Sequence, residues 1–456
     1  MLLLRFELDY LTKWLYRKDR KPLLIRGARQ VGKSTLVRSL AQSESLNLVE
    51  IDFEKNPEYA ELFSSQEPET ILSLLSVQLN RNIDLASTLL FLDEIQRVPE
   101  LLKVLRYFYE KMPQLPVIVA GSLLDLNLKD VRFSMPVGRI EYLYLNPMSF
   151  EAFLLATNKN NMLEFLNTYQ IGQNVPFVLH QKLLKCVREY YIVGGLPEVV
   201  AKYAENYDFI ELDRVKKNLL LAYQEDFAKY ASLLEQNRMR LIFRKVPRML
   251  GEKFKYVHID PEQKSILIRS ALENLTLSRI INIAYHSSAN GLPLGAEINE
   301  KIFKTYFLDI GLVISALDLN ILNFDDMLGC NLVNSGKIAE QFVAGELLQY
   351  RKLYEEPTLH YWLREQKSSS AEVDFVIPFN GKILPIEVKA GAPGTLKSLH
   401  YFLKEKKLDF AIRICNQLPV LIKQDVCVAD SVISYKLMTL PFYLIGQLER
   451  LLTSTA

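Results

Sequence analysis

Two stretches near the start of this 456-residue chain carry side chains whose types and spacing could do chemistry. The first is Gly27-Ala-Arg-Gln-Val-Gly32-Lys33-Ser34, a full match to G-x-x-x-x-G-K-S. Gly27 and Gly32 let such a loop curl so that successive backbone N–H groups face phosphate oxygens. Lys33 would reach the β- and γ-phosphates of a nucleotide, and Ser34 would hold Mg²⁺. The second is Asp93-Glu94, which closes the apolar run Ser-Thr-Leu-Leu-Phe-Leu-Asp. Downstream of a phosphate loop, Asp93 would hold the Mg²⁺ through water and Glu94 would polarise an attacking water. In isolation an acid pair after a strand is an ordinary helix cap.

A third constellation lies in the last third of the chain. Ala371–Ile377 and Lys382–Lys389 read as two strands joined by Phe379-Asn380-Gly381, a hairpin signal. Period-two alternation places Glu372 with Asp374 on one face, and Glu387 with Lys389 on one face of the partner. Two carboxylates for Mg²⁺ and a lysine for the water or the developing phosphate charge form the arrangement of restriction-endonuclease-like nucleases. Glu340, on the helix read over Gly336–Tyr350, would add a metal ligand. A salt-bridged polar sheet face uses the same residues.

The elements that must position these groups follow from periodicity. Residues 2–19 read as an amphipathic helix. The apolar run Leu23–Ile25 is a strand, the loop follows, and a helix opens near Lys33. Asn47–Phe53 is a second strand, so the phosphate-loop strand and the Asp93 strand are not sequential. Leu115–Ser122 is a buried strand ending in Gly121-Ser122. Ser122 is a candidate sensor of the γ-phosphate or attacking water, or a plain strand terminus. Gly138–Tyr144 is a fifth strand. Arg132 and Arg139 lie nearest this end of the sheet; each could stabilise γ-phosphate charge or be a solvated loop arginine. Residues 156–228 are helical, broken by Val193-Gly-Gly-Leu-Pro-Glu198, and such a block often acts as a lid. Between 238 and 285 lies a basic run that includes Arg238, Arg240, Arg244, Lys245, Arg248, Lys253, Lys255, Lys264, Arg269 and Arg279. It reads as helix, short strand at Lys255–His258, helix and strand. It would serve as a DNA-contacting surface or a solvated face diluted by acids.

Composition narrows the class. With 49% hydrophobic and 24% charged residues the chain is ordinary globular protein of two to four domains. A net charge of +2 confines any nucleic-acid surface to a local patch. Cys186, Cys330, Cys415 and Cys427 lack C-x-x-C spacing and read as reduced core residues. The N-terminus has no signal-peptide core, and no window holds 18 uninterrupted apolar residues, so a cytoplasmic protein without membrane association is expected.

The stretches GARQVGKSTL, LLFLDEIQRVPE, VIVAGS, VGRIEYLYLNPMSFEAFL, VGGLPEVV, KIFKTYFLDIGL, AEVDFVI and LPIEVKAG occur in that order. Together they resemble the bacterial and archaeal AAA-type ATPases that end in a domain of unknown function. The resemblance implies an α/β protein. Its parts would be a P-loop parallel sheet with helices on both faces (1–155), a helical lid region (156–229), a winged-helix-like region (230–325), and a restriction-endonuclease-like domain (326–456). It places nucleotide contacts on Gly27, Ala28, Arg29, Gln30, Val31, Gly32, Lys33, Ser34 and Thr35. The metal and water-activating acids are Asp93 and Glu94, and the nuclease-like positions are Glu340, Asp374, Glu387 and Lys389. ATP and Mg²⁺ are the expected cofactors, with DNA or a protein as partner. An ATPase coupled to DNA binding or cleavage is one reading. A nucleotide-dependent regulatory switch on a protein partner, with an inactive nuclease-like scaffold, is the other. A kinase is disfavoured by Asp93-Glu94, which suits water attack.

Overall fold

Five short strands build the N-terminal sheet: β1 (Leu23–Arg26), β2 (Asn47–Asp52), β3 (Thr88–Asp93), β4 (Val117–Ala120) and β5 (Glu141–Tyr144). In this computed structural model the order is β2-β3-β4-β1-β5, with every pair parallel. Parallel sheets need cover on both faces, and the sequence supplies it. All six residues of β3 and all four of β4 are buried. Helices Lys33–Ser43, Pro68–Leu79 and Val104–Lys111 carry the crossovers. Leu24, Val49, Leu90, Leu92, Val117 and Val119 pack with Ile71, Leu75, Leu105 and Phe108 in one core. The strand that separates β1 from β3 in space is β4; the strand between them in the chain, β2, lies at the sheet edge. The loops leaving β1, β3 and β4 therefore emerge side by side, the crevice where α/β sheets place ligands.

The structure describes residues 3, 5–122, 124, 126, 136, 138–206, 208–229, 231–319, 335–350, 352–366, 369–391, 395–428 and 431–455. Arg132 and Cys330 lie outside the described residues, as does most of Leu317–Leu332, a stretch that reads as a linker in the sequence. The described chain divides into two units. One holds residues 1–147, 277–279 and 352–356, and the other holds 148–276, 280–351 and 357–456.

The second unit opens with helices Phe150–Ala156, Asn160–Thr168, Phe177–Val193, Pro197–Asn206, Phe209–Asp226 and Leu233–Lys245. The Gly-Gly-Leu-Pro turn is a packing knot. Gly194 has φ +78°, and a Cβ there would meet an Asp309 carboxylate oxygen at 2.2 Å. Asp309 accepts the N–H groups of Gly195 (2.6 Å) and Leu312 (3.0 Å), capping helix Ile310–Ala316. Lys255–His258, read as a strand, is instead the N-cap and first three residues of a one-turn helix, Tyr256–Ile259; four residues carry too little pattern to decide the period.

Two sheets follow. Strands β6 (Ile281–Ser287), β7 (Ile298–Phe307), β8 (Leu359–Gln366) and β9 (Ser369–Val373) form one in the order β7-β6-β8-β9. Strands beyond residue 325 thus complete the sheet begun by β6 and β7. Strands β10 (Phe375–Phe379), β11 (Lys382–Lys389), β12 (Phe410–Cys415), β13 (Val420–Val428) and β14 (Ser431–Pro441) form a mixed sheet in the order β10-β11-β12-β14-β13. Helix Lys397–Lys406 bridges the parallel pair β11 and β12. Asn380 (φ +45°) and Gly381 (φ +75°) make the two-residue turn between β10 and β11, with Phe379 paired to Lys382. The run Ala371–Ile377 is not one strand. It breaks at Asp374, and its halves join different sheets.

Among the described residues no helix is long and apolar enough to cross a membrane. Cys186 and Cys415 are buried free thiols, and Cys427 is exposed and free.

Candidate functional site

The phosphate loop runs from the end of β1 into helix Lys33–Ser43. Gly27 passes so close to the backbone that a Cβ would stand 2.3 Å from the Leu145 carbonyl oxygen. Gly32 caps the helix in the left-handed region (φ 90°, ψ 27°), and Gln30 is also left-handed at φ 64°. Ala28 and Val31 are buried, while Gln30 and Thr35 are exposed. The Lys33 ammonium donates to the carbonyls of Gly27 (3.0 Å) and Ala28 (2.8 Å). Burial pulls its pKa down to about 8, and the charges of Glu94 and Asp93 hold it from falling further.

The acids stand at the end of β3. Ser34 Oγ donates to Asp93 Oδ2 at 2.5 Å, and the other Asp93 oxygen accepts the Glu94 N–H at 2.9 Å. Burial raises the Asp93 pKa, with Glu94 adding to the rise and the Ser34 bond opposing it. A hydroxyl and a carboxylate in contact fit Mg²⁺, which takes one or two protein oxygens and completes its shell with phosphate and water. Glu94 sits at φ 54°, an uncommon angle for a side-chain-bearing residue, and accepts from the Gln96 amide. Ser122, 5% exposed, ends the described run after β4 and accepts from Arg29 Nε at 3.1 Å.

Two participants escaped sequence reasoning. Arg5, 8% exposed, donates to the Val31 carbonyl (2.5 Å) and the Asn146 carbonyl (2.7 Å) and pairs with Glu7 (3.1 Å). It props the loop from beneath. The Arg29 side chain, named only as part of the loop, reaches Ser122, Glu54 and Glu94. Arg5 and Glu7 interrupting an apolar N-terminal run were a usable signal; nothing local announced the partners of Arg29. Arg139 is bound to Glu110 (2.9 Å) and lies over the Tyr109 ring.

The C-terminal positions gather around a residue the motif did not include. Lys304, on β7 and 0% exposed, lies 2.5 Å from Glu372 and 3.4 Å from Glu340. The Tyr306 hydroxyl donates to Glu340 at 3.2 Å. Asp374 accepts the Val388 N–H at 2.7 Å, and Lys389 pairs with Glu387 at 2.6 Å. The second Glu387 oxygen is buried with no hydrogen-bond partner. Burial, then the Asp374 charge, raises Glu340 to about 8 and Glu387 to about 7. Burial pulls the other way on Lys304, but Tyr306, Glu340, Glu372 and Asp374 outweigh it and hold its pKa well above the usual lysine value. The Asp374 charge thus acts on Glu340, Glu387 and Lys389, and Lys389 also feels Glu387 and Glu340. Among the described residues no group of three or more His, Cys, Asp or Glu side chains is placed to hold a metal ion.

Several residues of the basic run have internal partners. Arg238 donates to Gln263, Lys245 to the carbonyls of His258 and Ile259, and Arg269 pairs with Glu273.

Residues 19–154 match the family of an AAA domain, and the chain therefore carries an AAA-type P-loop ATPase domain. Residues 184–322 and 335–431 match two domains of unknown function (DUF8612 and DUF4143). No curated protein matches the chain. Among solved structures it is similar to the Thermotoga maritima RuvB Holliday junction branch migration motor, with 14% identity, 66% of this chain and 93% of that one covered, and a TM-score of 0.29. It is also similar to C. elegans PCH-2, with 13% identity, 48% and 70% covered, and a TM-score of 0.29. AMPPCP-bound DnaA from Aquifex aeolicus is 12% identical, with 60% and 87% covered and a TM-score of 0.26. At these TM-scores none of the three likenesses carries a conclusion.

Proposed function

We propose that the chain binds MgATP at Gly27–Thr35 and hydrolyses it. The observation that carries this reading is the contact between Ser34 and Asp93, with Glu94 next in sequence and Lys33 resting on the loop's own carbonyls. Lys33 exchanges those two carbonyls for phosphate oxygens. Glu94 accepts a proton as water attacks the γ-phosphorus and the bond to the ADP oxygen breaks. Ser34 and Asp93 would hold Mg²⁺, which neutralises charge building on the phosphates. Ser122 stands ready to orient the water or the γ-phosphate.

Hydrolysis is coupled, in this reading, to DNA binding or cleavage through a C-terminal restriction-endonuclease-like domain. The contact between Glu387 and Lys389, the Asp374 charge acting on Glu340, Glu387 and Lys389, and the unpartnered buried Glu387 oxygen support it. Lys304 favours the second reading, a nucleotide-dependent switch acting on a protein partner. Its ammonium occupies the acidic cluster where a cation would sit, so the domain would serve as a scaffold. Phosphate release by the full chain in Mg²⁺, with and without single-stranded and duplex DNA, tests both levels. No Mg²⁺-dependent release contradicts the ATPase reading. Release that DNA does not stimulate, with no cleavage in Mg²⁺ or Mn²⁺, contradicts the DNA coupling and leaves the switch.

A further inference from the structure

The Arg29 guanidinium stands where three functional parts of the phosphate site converge. Its backbone belongs to the loop between Gly27 and Gly32. Its Nε donates to Ser122 Oγ at 3.1 Å, at the end of β4. Its Nη2 lies 3.5 Å from Glu54, just past β2, and 3.9 Å from Glu94, just past β3. Glu54 also takes Arg97 at 2.7 Å. The Arg29 side chain is 20% exposed and that of Glu94 22%, so neither is sealed from solvent.

A purely structural ion pair needs neither Ser122 nor the loop. Here one cation donates to the Ser122 hydroxyl and stands 3.9 Å from the Glu94 carboxylate, the two groups assigned above to the attacking water. Glu54, shared with Arg97, holds Arg29 loosely at 3.5 Å. An arginine keeps its charge at any working pH, and its planar fork suits phosphate oxygens. We propose that Arg29 is a cis-acting arginine for the γ-phosphate, carried by the phosphate loop itself and docked on Ser122, Glu54 and Glu94. It touches the γ-phosphate, offsets the charge that spreads over its oxygens in the transition state, and releases Glu94 to take the proton from water. No arginine from a second subunit is then required for turnover. This rests on the ATPase reading.

The test uses the purified full chain, Mg²⁺, ATP and ADP, with kcat and KM from phosphate release and affinities from a fluorescent nucleotide analogue. Arg29→Ala is expected to lower kcat by about 10³-fold, the scale of an arginine finger. Its ADP affinity should stay within about threefold of wild type while ATP loses its advantage over ADP, since uniform binding is untouched. Arg29→Lys restores part of the ATP preference and of kcat, because the charge returns without the fork. Turnover by Arg29→Ala at the wild-type rate overturns the proposal, as does an equal loss of ATP and ADP affinity, which marks a merely structural loop residue. Wild-type chain that neither binds nor hydrolyses ATP overturns the ATPase reading, and this proposal with it.

Discussion

Lys33 and Lys304 are both buried among carboxylates, and they differ in what they touch. Lys33, 7% exposed, spends its protons on two neutral carbonyls of its own loop, and its pKa falls to about 8. Lys304, fully buried, lies directly against Glu372 and Glu340, and its pKa is held high. A cation on carbonyls is cheaply transferred to an incoming anion, because a phosphate oxygen is a better acceptor than a neutral carbonyl. A buried cation already sharing two partly buried carboxylates is costly to move, since departure would leave both acids uncompensated. One cluster has the electrostatics of a binding site and the other those of a self-neutralised core.

Substitutions can break that comparison. Lys304→Met is expected to destabilise the chain by about 1–3 kcal/mol, because it leaves two partly buried carboxylates without their cation. A urea midpoint measures this, and nucleotide affinity should not change. A loss below about 1 kcal/mol would mean that the cluster tolerates an empty centre. Lys33→Ala should leave the fold intact and reduce ATP turnover by about 10²–10³-fold, measured as phosphate release. If both lysines mainly affected stability, the contrast would fail.

A smaller effect sharpens it. Glu340 and Glu387 have folded pKa values raised to about 8 and about 7 from the usual carboxylate range. Between the unfolded value and those values the folded chain keeps protons that the unfolded chain has lost. Stability is therefore fully present at low pH and declines as pH rises from about 5 to about 8, by up to ~1.4 kcal/mol per pH unit for each group. Glu340→Gln should flatten this slope in urea midpoints taken across the range; an unchanged slope would deny Glu340 its proton.

Legibility in the sequence divides along the same line. Gly27–Ser34 and Asp93-Glu94 are contiguous motifs, and each strand and helix they require was readable from apolar runs beside them. The position of β4 between β1 and β3 was not, because parallel pairing joins residues distant in sequence and leaves no local mark. Asp374 reads as a mid-strand residue because AEVDFVI is a continuous strand-like run with no turn residue; the break arises because its halves serve different sheets. Lys304 sits inside KIFKTYFL, where a lysine in an apolar strand reads as the solvent face. Its role depends on Glu340, 36 residues on, and Glu372, 68 residues on. The Arg29 contacts required the same three-dimensional convergence.

The central claim is that Glu94 activates water on an ATP held by the loop. Single-turnover phosphate release, with ATP affinity measured in parallel, tests it in wild type and Glu94→Gln. The account predicts unchanged affinity and release slowed by about 10²–10⁴-fold in the variant. Release by Glu94→Gln at the wild-type rate would contradict it.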